Sequence, residues 1–148
     1  MATYLSTELG GSANQTSVPV GYKPRASVYG GRLKRLRATV TLASQATTDL
    51  LQLGNLPAGA VFAYGLLNSS VSLGTSTLAI GISGATGKYR AAATFTATDT
   101  PTPFGLAVEA AASDAGLAAE QTVIGTIATA ALPSSGTLVI DLFYSIPN

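Results

Sequence analysis

Turn-forming residues recur along this chain too often for any long helix. From Leu33 onward they fall at Leu56-Pro57-Ala58-Gly59, Gly74-Thr75-Ser76, Ser83 to Gly87, Asp99-Thr100-Pro101-Thr102-Pro103, Ser113-Asp114-Ala115-Gly116 and Leu132-Pro133-Ser134-Ser135-Gly136. Glycine supplies backbone conformations that other residues avoid, and proline removes a donor that helices and central strands need. The segments between these breaks are short and rich in Val, Ile, Leu, Thr and aromatic residues, which suit a pleated, half-buried surface. Short strands at a spacing of about 8–12 residues predict an all-β body of about seven or eight strands, a β-sandwich or jelly roll.

The first body strand opens at Leu33. Leu36, Ala38, Val40 and Leu42 fall on one face, and Arg35, Arg37, Thr39 and Thr41 on the other. A short second strand runs from Asp49 to Leu53, and a long third from Val61 to Leu67, with room to continue to Leu73. Gly74-Thr75-Ser76 reads as a hairpin loop into Thr77–Ile82, and Ser83 to Gly87 as a loop into a strand from Lys88 to Thr96. Asp99 to Pro103 reads as a turn, since proline cannot donate to a ladder. The Ala-rich stretch from Leu106 to Glu120 has helix propensity but is interrupted at Ser113–Gly116, which predicts at most one or two helical turns. The last strands are Thr122–Thr129 and Thr137–Ser145. The final one is apolar on both faces except at Asp141, so it is expected to be covered on both sides, by the second sheet and by a neighbour or the N-terminal arm.

Residues 1–32 read differently, as an extended N-terminal arm ahead of a body at 33–148. Gly10-Gly11, Pro19, Pro24 and Gly30-Gly31 oppose helix, yet Tyr4, Leu5, Leu9, Val18, Val20, Tyr22, Val28 and Tyr29 are too apolar for a solvated linker. Ordering about thirty extended residues costs on the order of 30–60 kcal/mol of backbone entropy. Only docking onto another surface offsets that, so the arm is expected to lie on a neighbour.

Charge is divided a little further along, after Arg37 at the start of the first body strand. Lys23, Arg25, Arg32, Lys34, Arg35 and Arg37 face only Glu8 within residues 1–37, whereas the remainder holds Lys88 and Arg90 against six carboxylates. The net charge of +1 thus hides a basic arm joined to a mildly acidic body. Only 10% of residues are charged, against about 25% in an average domain. A body so poor in charge tends to associate, so an oligomer or assembly subunit is expected. The basic residues, with Tyr22 and Tyr29 among them, are the candidate partner-binding set. They suit phosphates with base stacking, or an acidic protein surface. Apolar residues interleaved with the cations favour a protein groove over nucleic acid.

The chain has no histidine and no cysteine. That removes serine–histidine and cysteine–histidine catalysis, the usual zinc sites and any disulfide framework. The carboxylates are scattered singly, so no enzyme and no cofactor is expected. Gly81-Ile82-Ser83-Gly84-Ala85-Thr86-Gly87-Lys88 imitates a phosphate loop, but Tyr89 stands where a Ser or Thr would bind metal and a strand follows instead of a helix, so a hairpin is expected. No signal peptide is evident, and the longest apolar run, Ala60 to Leu67, is too short to span a bilayer.

Several segments resemble small tailed-phage virion proteins of the head decoration, or cement, type. They are Leu53-Gly54-Asn55-Leu56-Pro57-Ala58-Gly59-Ala60, Asn68 to Gly74, Lys88 to Phe95, and the closing run from Leu132 through Tyr144. The likeness covers about half of the chain and consists of strand and turn motifs. It implies a β-rich virion protein, often trimeric, that binds the outside of a phage head and bridges subunits of the major capsid protein. Sister subunits and coat are the implied partners. Other phage structural proteins of tail, neck or head fibre share this style, and a nucleic-acid-binding module using residues 23–37 is a further alternative.

Overall fold

The computed structural model describes residues 32–112 and 116–146. Among these residues lie eight strands and one short helix: β1 (Lys34–Thr41), β2 (Leu50–Leu56), β3 (Val61–Ser69), β4 (Thr77–Ile82), β5 (Ala85–Thr94), β6 (Thr102–Phe104), α1 (Ala107–Ala112), β7 (Gln121–Ala128) and β8 (Thr137–Ser145). They form two four-stranded sheets, sheet A in the order β1-β8-β3-β6 and sheet B in the order β2-β7-β4-β5. Every strand pair is antiparallel.

The pairs β1·β8, β2·β7, β3·β6 and β4·β5 nest inside one another around the β4–β5 turn. The chain is therefore wound as one long antiparallel ribbon folded over itself, a jelly-roll-like β-sandwich. Alternation builds the core: Ala38, Phe62, Leu67, Leu138, Ile140 and Leu142 from sheet A meet Leu51, Leu53, Leu78, Ile80, Tyr89, Val123 and Ile127 from sheet B. Leu73, Phe95 and Leu132 from the connections join the same cluster. Phe62 and Tyr89 touch across the sheets, with ring centroids 4.7 Å apart.

Three local expectations change. Gly74-Thr75-Ser76 does not close a hairpin, because β3 lies in sheet A and β4 in sheet B. The connection crosses the sandwich and buries Leu73 on its way. The loop expected at Ser83–Gly87 shrinks to a tight turn at Ser83–Gly84, with Gly84 at φ 82° and Ile82 already opposite Ala85. That hairpin disposes of the phosphate-loop imitation, since a strand and not a helix N-terminus follows it. The expected turn at Asp99–Pro103 contains the start of β6. Proline is tolerated there because β6 is an edge strand, pairing only with β3. β2 runs on to Leu56 through a register shift between Gln52 and Gly54, and β3 stops at Ser69. α1 is six residues long, within the one or two turns the sequence allows.

Candidate interaction surface

Of the basic and aromatic residues singled out in the sequence, Tyr22, Lys23, Arg25 and Tyr29 lie outside the described residues. Arg32, Lys34, Arg35 and Arg37 are exposed. The last three sit on β1, an edge strand of sheet A. Leu36 and Ala38 turn toward the core, so Arg35 and Arg37 turn to the outer face of that sheet.

Arg37 is not free to meet a partner. Its register neighbour on β8 is Asp141. Nε donates to Oδ1 at 2.7 Å and Nη2 to Oδ2 at 2.6 Å, a two-pronged ion pair. The Asp141 side chain is only 7% exposed, whereas that of Arg37 is 49% exposed. The hydrogen bonds from Arg37 hold the Asp141 carboxyl below the ordinary carboxylate range; burial opposes this, and the charges of Arg37 and Arg35 reinforce it. The same contact raises the Arg37 guanidinium above its ordinary value. Among the described residues, Arg32, Lys34 and Arg35 are left without an ion pair.

The rest of the outer face was not singled out by charge. Register puts Arg35 opposite Phe143 and Phe143 opposite Tyr64. Phe143 and Tyr64 stack with centroids 4.7 Å apart and planes at 19°. Tyr64 is 39% exposed. One step along, Arg37, Asp141 and Leu66 form the next row, and Val139 with Asn68 the one after. Together with Pro101 these residues line a depression of about 240 Å³. It is smaller than the roughly 300–1,000 Å³ of small-molecule sites and is sized for a side chain. Asn68 Oδ1 is buried without a hydrogen-bond partner among the described residues. The face thus combines stacked rings, aliphatic side chains and a proline. Its signal in the sequence was the doubly apolar β8; Tyr64 and Asn68 gave none, because only the register of β3 against β8 brings them here.

Elsewhere, polar clusters are structural. Lys88 Nζ donates to Gln121 Oε1 at 3.0 Å and approaches Glu109 Oε2 at 3.9 Å. The Tyr89 hydroxyl donates to the same Gln121 oxygen at 3.3 Å. Burial, with the charge of Glu109 second, pushes the Tyr89 phenol up to about 12. Among the described residues no group of three or more His, Cys, Asp or Glu could hold a metal ion, and no helix is long and apolar enough to cross a membrane.

No protein-family model matches the chain, and no curated protein matches it. Solved structures do. A chain of the cyanophage Pam1 capsid asymmetric unit aligns with TM-score 0.63 and 24% identity over 92% of this chain and 96% of that one. A chain from the capsid of Ralstonia phage GP4 aligns with TM-score 0.63 and 23% identity, over 80% and 86%. A chain from the acidic stable capsid of Helicobacter pylori bacteriophage KHP30 aligns with TM-score 0.57 and 14% identity, over 78% and 89%. At these identities the likeness establishes a shared fold.

Proposed function

We propose that this chain is a virion structural protein: a decoration or cement protein that binds the outer surface of a phage head as a homo-oligomer, a trimer, and stabilises it by bridging coat subunits. The observation that carries this reading is the fold it shares, over nearly the whole of both chains, with a chain of a phage capsid asymmetric unit. The reading is supported by a body with few charges and by an outer sheet face of rings and aliphatic side chains beside Arg35. Residues 1–32 serve as the arm, and Tyr22, Lys23, Arg25, Tyr29, Arg32, Lys34 and Arg35 contact coat or sister subunits. Arg37 contributes by shaping the face through Asp141.

The test uses phage heads stripped of accessory proteins. The full chain should bind them at a fixed copy number per coat subunit. Deleting residues 1–31, or replacing Arg32, Lys34 and Arg35 with Glu, should leave the sandwich folded and abolish binding. Undiminished binding by both variants overturns the role of the arm. Absence of the chain from purified particles of its phage overturns the virion assignment.

One observation favours a second reading. Arg35, Phe143 and Tyr64 form a row of cation and stacked rings like those on which single-stranded nucleic acid lies. Several phosphate contacts would give a steep fall in affinity with salt. A labelled oligonucleotide that fails to bind at low salt eliminates that alternative.

A further inference from the structure

A chain without cysteine cannot staple its strands with a disulfide. At the start of β7, however, four side chains from three elements converge. Lys88 and Tyr89 are consecutive on β5, Gln121 is the first residue of β7, and Glu109 lies on α1. In sheet B, β4 runs between β5 and β7. The backbone ladder therefore does not join β5 to β7, and these side chains reach past β4 to do so.

Lys88 Nζ lies 3.0 Å from Gln121 Oε1, and the Tyr89 hydroxyl donates to the same oxygen at 3.3 Å. Glu109 Oε2 is 3.9 Å from Lys88 Nζ. The Lys88 stem runs beside the Tyr89 ring, with Nζ 5.5 Å from its centroid. The cluster is largely covered: the side chains of Lys88 and Glu109 are 17% and 27% exposed, and Tyr89 is buried.

A lone hydrogen bond from lysine to glutamine is an ordinary contact. Here each further group also holds a position that acyl transfer requires. The lysine nitrogen is a nucleophile once it has given up a proton. The carboxamide carbon is the electrophile, one C=O bond of about 1.2 Å from the oxygen that Lys88 touches. Tyr89, whose phenol keeps its proton up to about 12, donates onto the oxygen where negative charge develops. Glu109 reaches hydrogen-bond distance of the amine after a shift of about 1 Å.

We propose that Lys88 and Gln121 join in an isopeptide bond that the folded chain forms by itself. Glu109 takes one proton from the Lys88 ammonium, and the freed Nζ lone pair attacks Gln121 Cδ. The π pair of the C=O bond moves onto Oε1, where Tyr89 donates. Glu109 passes its proton to Nε2 and takes a second one from Nζ. The oxyanion pair then returns, the Cδ–Nε2 bond breaks and ammonia leaves; the last proton departs with it as ammonium. One Nζ–Cδ bond replaces one Cδ–Nε2 bond, and no oxidant or reductant is needed. The product makes permanent the link already drawn by hydrogen bonds. It ties the edge strand β5 to β7 and closes a covalent loop that contains β6 and α1. The bond belongs to the chain alone and does not depend on any virion partner.

The test is the intact mass of the full chain, followed for days after folding. The expected result is a mass short of the sequence value by one ammonia, with a branched peptide containing Lys88 and Gln121 after digestion of the denatured protein. Lys88→Arg should keep the full mass. Glu109→Gln should form the bond about a hundredfold more slowly, since a positioned proton carrier contributes at least that much. A wild-type chain at full mass, with Lys88 and Gln121 in separate unmodified peptides, overturns the proposal whichever variants fold. Ammonia loss that persists in Lys88→Arg overturns it in favour of cyclisation at another amide. An unchanged rate in Glu109→Gln overturns the role given to Glu109.

Discussion

Asp141 is where side-chain chemistry and sheet geometry meet. A lone carboxylate in an apolar strand is costly unless paired, and the β1·β8 register sets Arg37 directly opposite to pair it. Sequence named both residues but assigned Arg37 to a partner and left Asp141 as an exception, since pairing between residues a hundred positions apart is not a local property. The folded carboxyl lies below its ordinary range. Its contribution to stability is therefore complete above the unfolded value of about 4, shrinks as the pH falls below that, and is gone once the pH passes below the folded value. Asp141→Asn should lower the melting temperature at neutral pH and flatten the decline on the acid side. Melting temperature measured from pH 7 to pH 2 for both proteins checks this; parallel curves would refute it. Tyr89 works in the opposite direction. Its phenol, held at about 12 by burial and by Glu109, favours the folded state below the ordinary phenol range, and that contribution is lost as pH rises toward 12. Absorbance titration of the native protein should show a late tyrosinate step that is missing in Tyr89→Phe.

The elements were legible to different degrees, for physical reasons. β4 was read at its full extent, Thr77–Ile82, because alternation and flanking turn residues are local signals. The link from β3 to β4 was misread because the same turn residues serve a hairpin and a crossover; which one forms depends on the sheet that Leu73 buries against. β6 was hidden because prolines mask a strand that pairs on one side only. Its anchor is Phe104, whose ring lies on Gly65, its register partner on β3. A side chain at Gly65 would occupy the space of that ring. Gly65→Ala should therefore destabilise the fold by about 1–3 kcal/mol through overpacking and loosen β6 first. Urea unfolding gives the energy, and hydrogen exchange at Thr102 and Phe104 gives the locality. A Gly65→Ala protein with native stability and unchanged exchange would mean that β6 is not held in this way.

At the scale of the molecule, the nested order of pairs decides how the sandwich can assemble. β4 and β5 are joined by a two-residue turn, whereas β1 and β8 are brought together across nearly the whole body. Closing a long loop costs entropy before any contact compensates, so folds with distant pairings are slow, and their close pairs form first. The β-class and the approximate strand count could be read from the sequence, since period and turns are written along the chain. The order of closure could not, because it belongs to the pairing. It makes a kinetic prediction. Ile80 on β4 and Ile140 on β8 are both fully buried, so Ile→Val at either should cost about 0.5–1.5 kcal/mol. Ile80→Val should mainly slow folding, with a φ-value well above one half, because the β4–β5 hairpin is formed in the transition state. Ile140→Val should mainly speed unfolding, with a φ-value near zero, because β8 docks late. Stopped-flow folding and unfolding rates against urea separate the two. Equal φ-values would show that the ribbon does not close from its turn outward. Late docking of β8 also means that β1, which pairs with β8 alone, takes its place only once the rest of the sandwich exists.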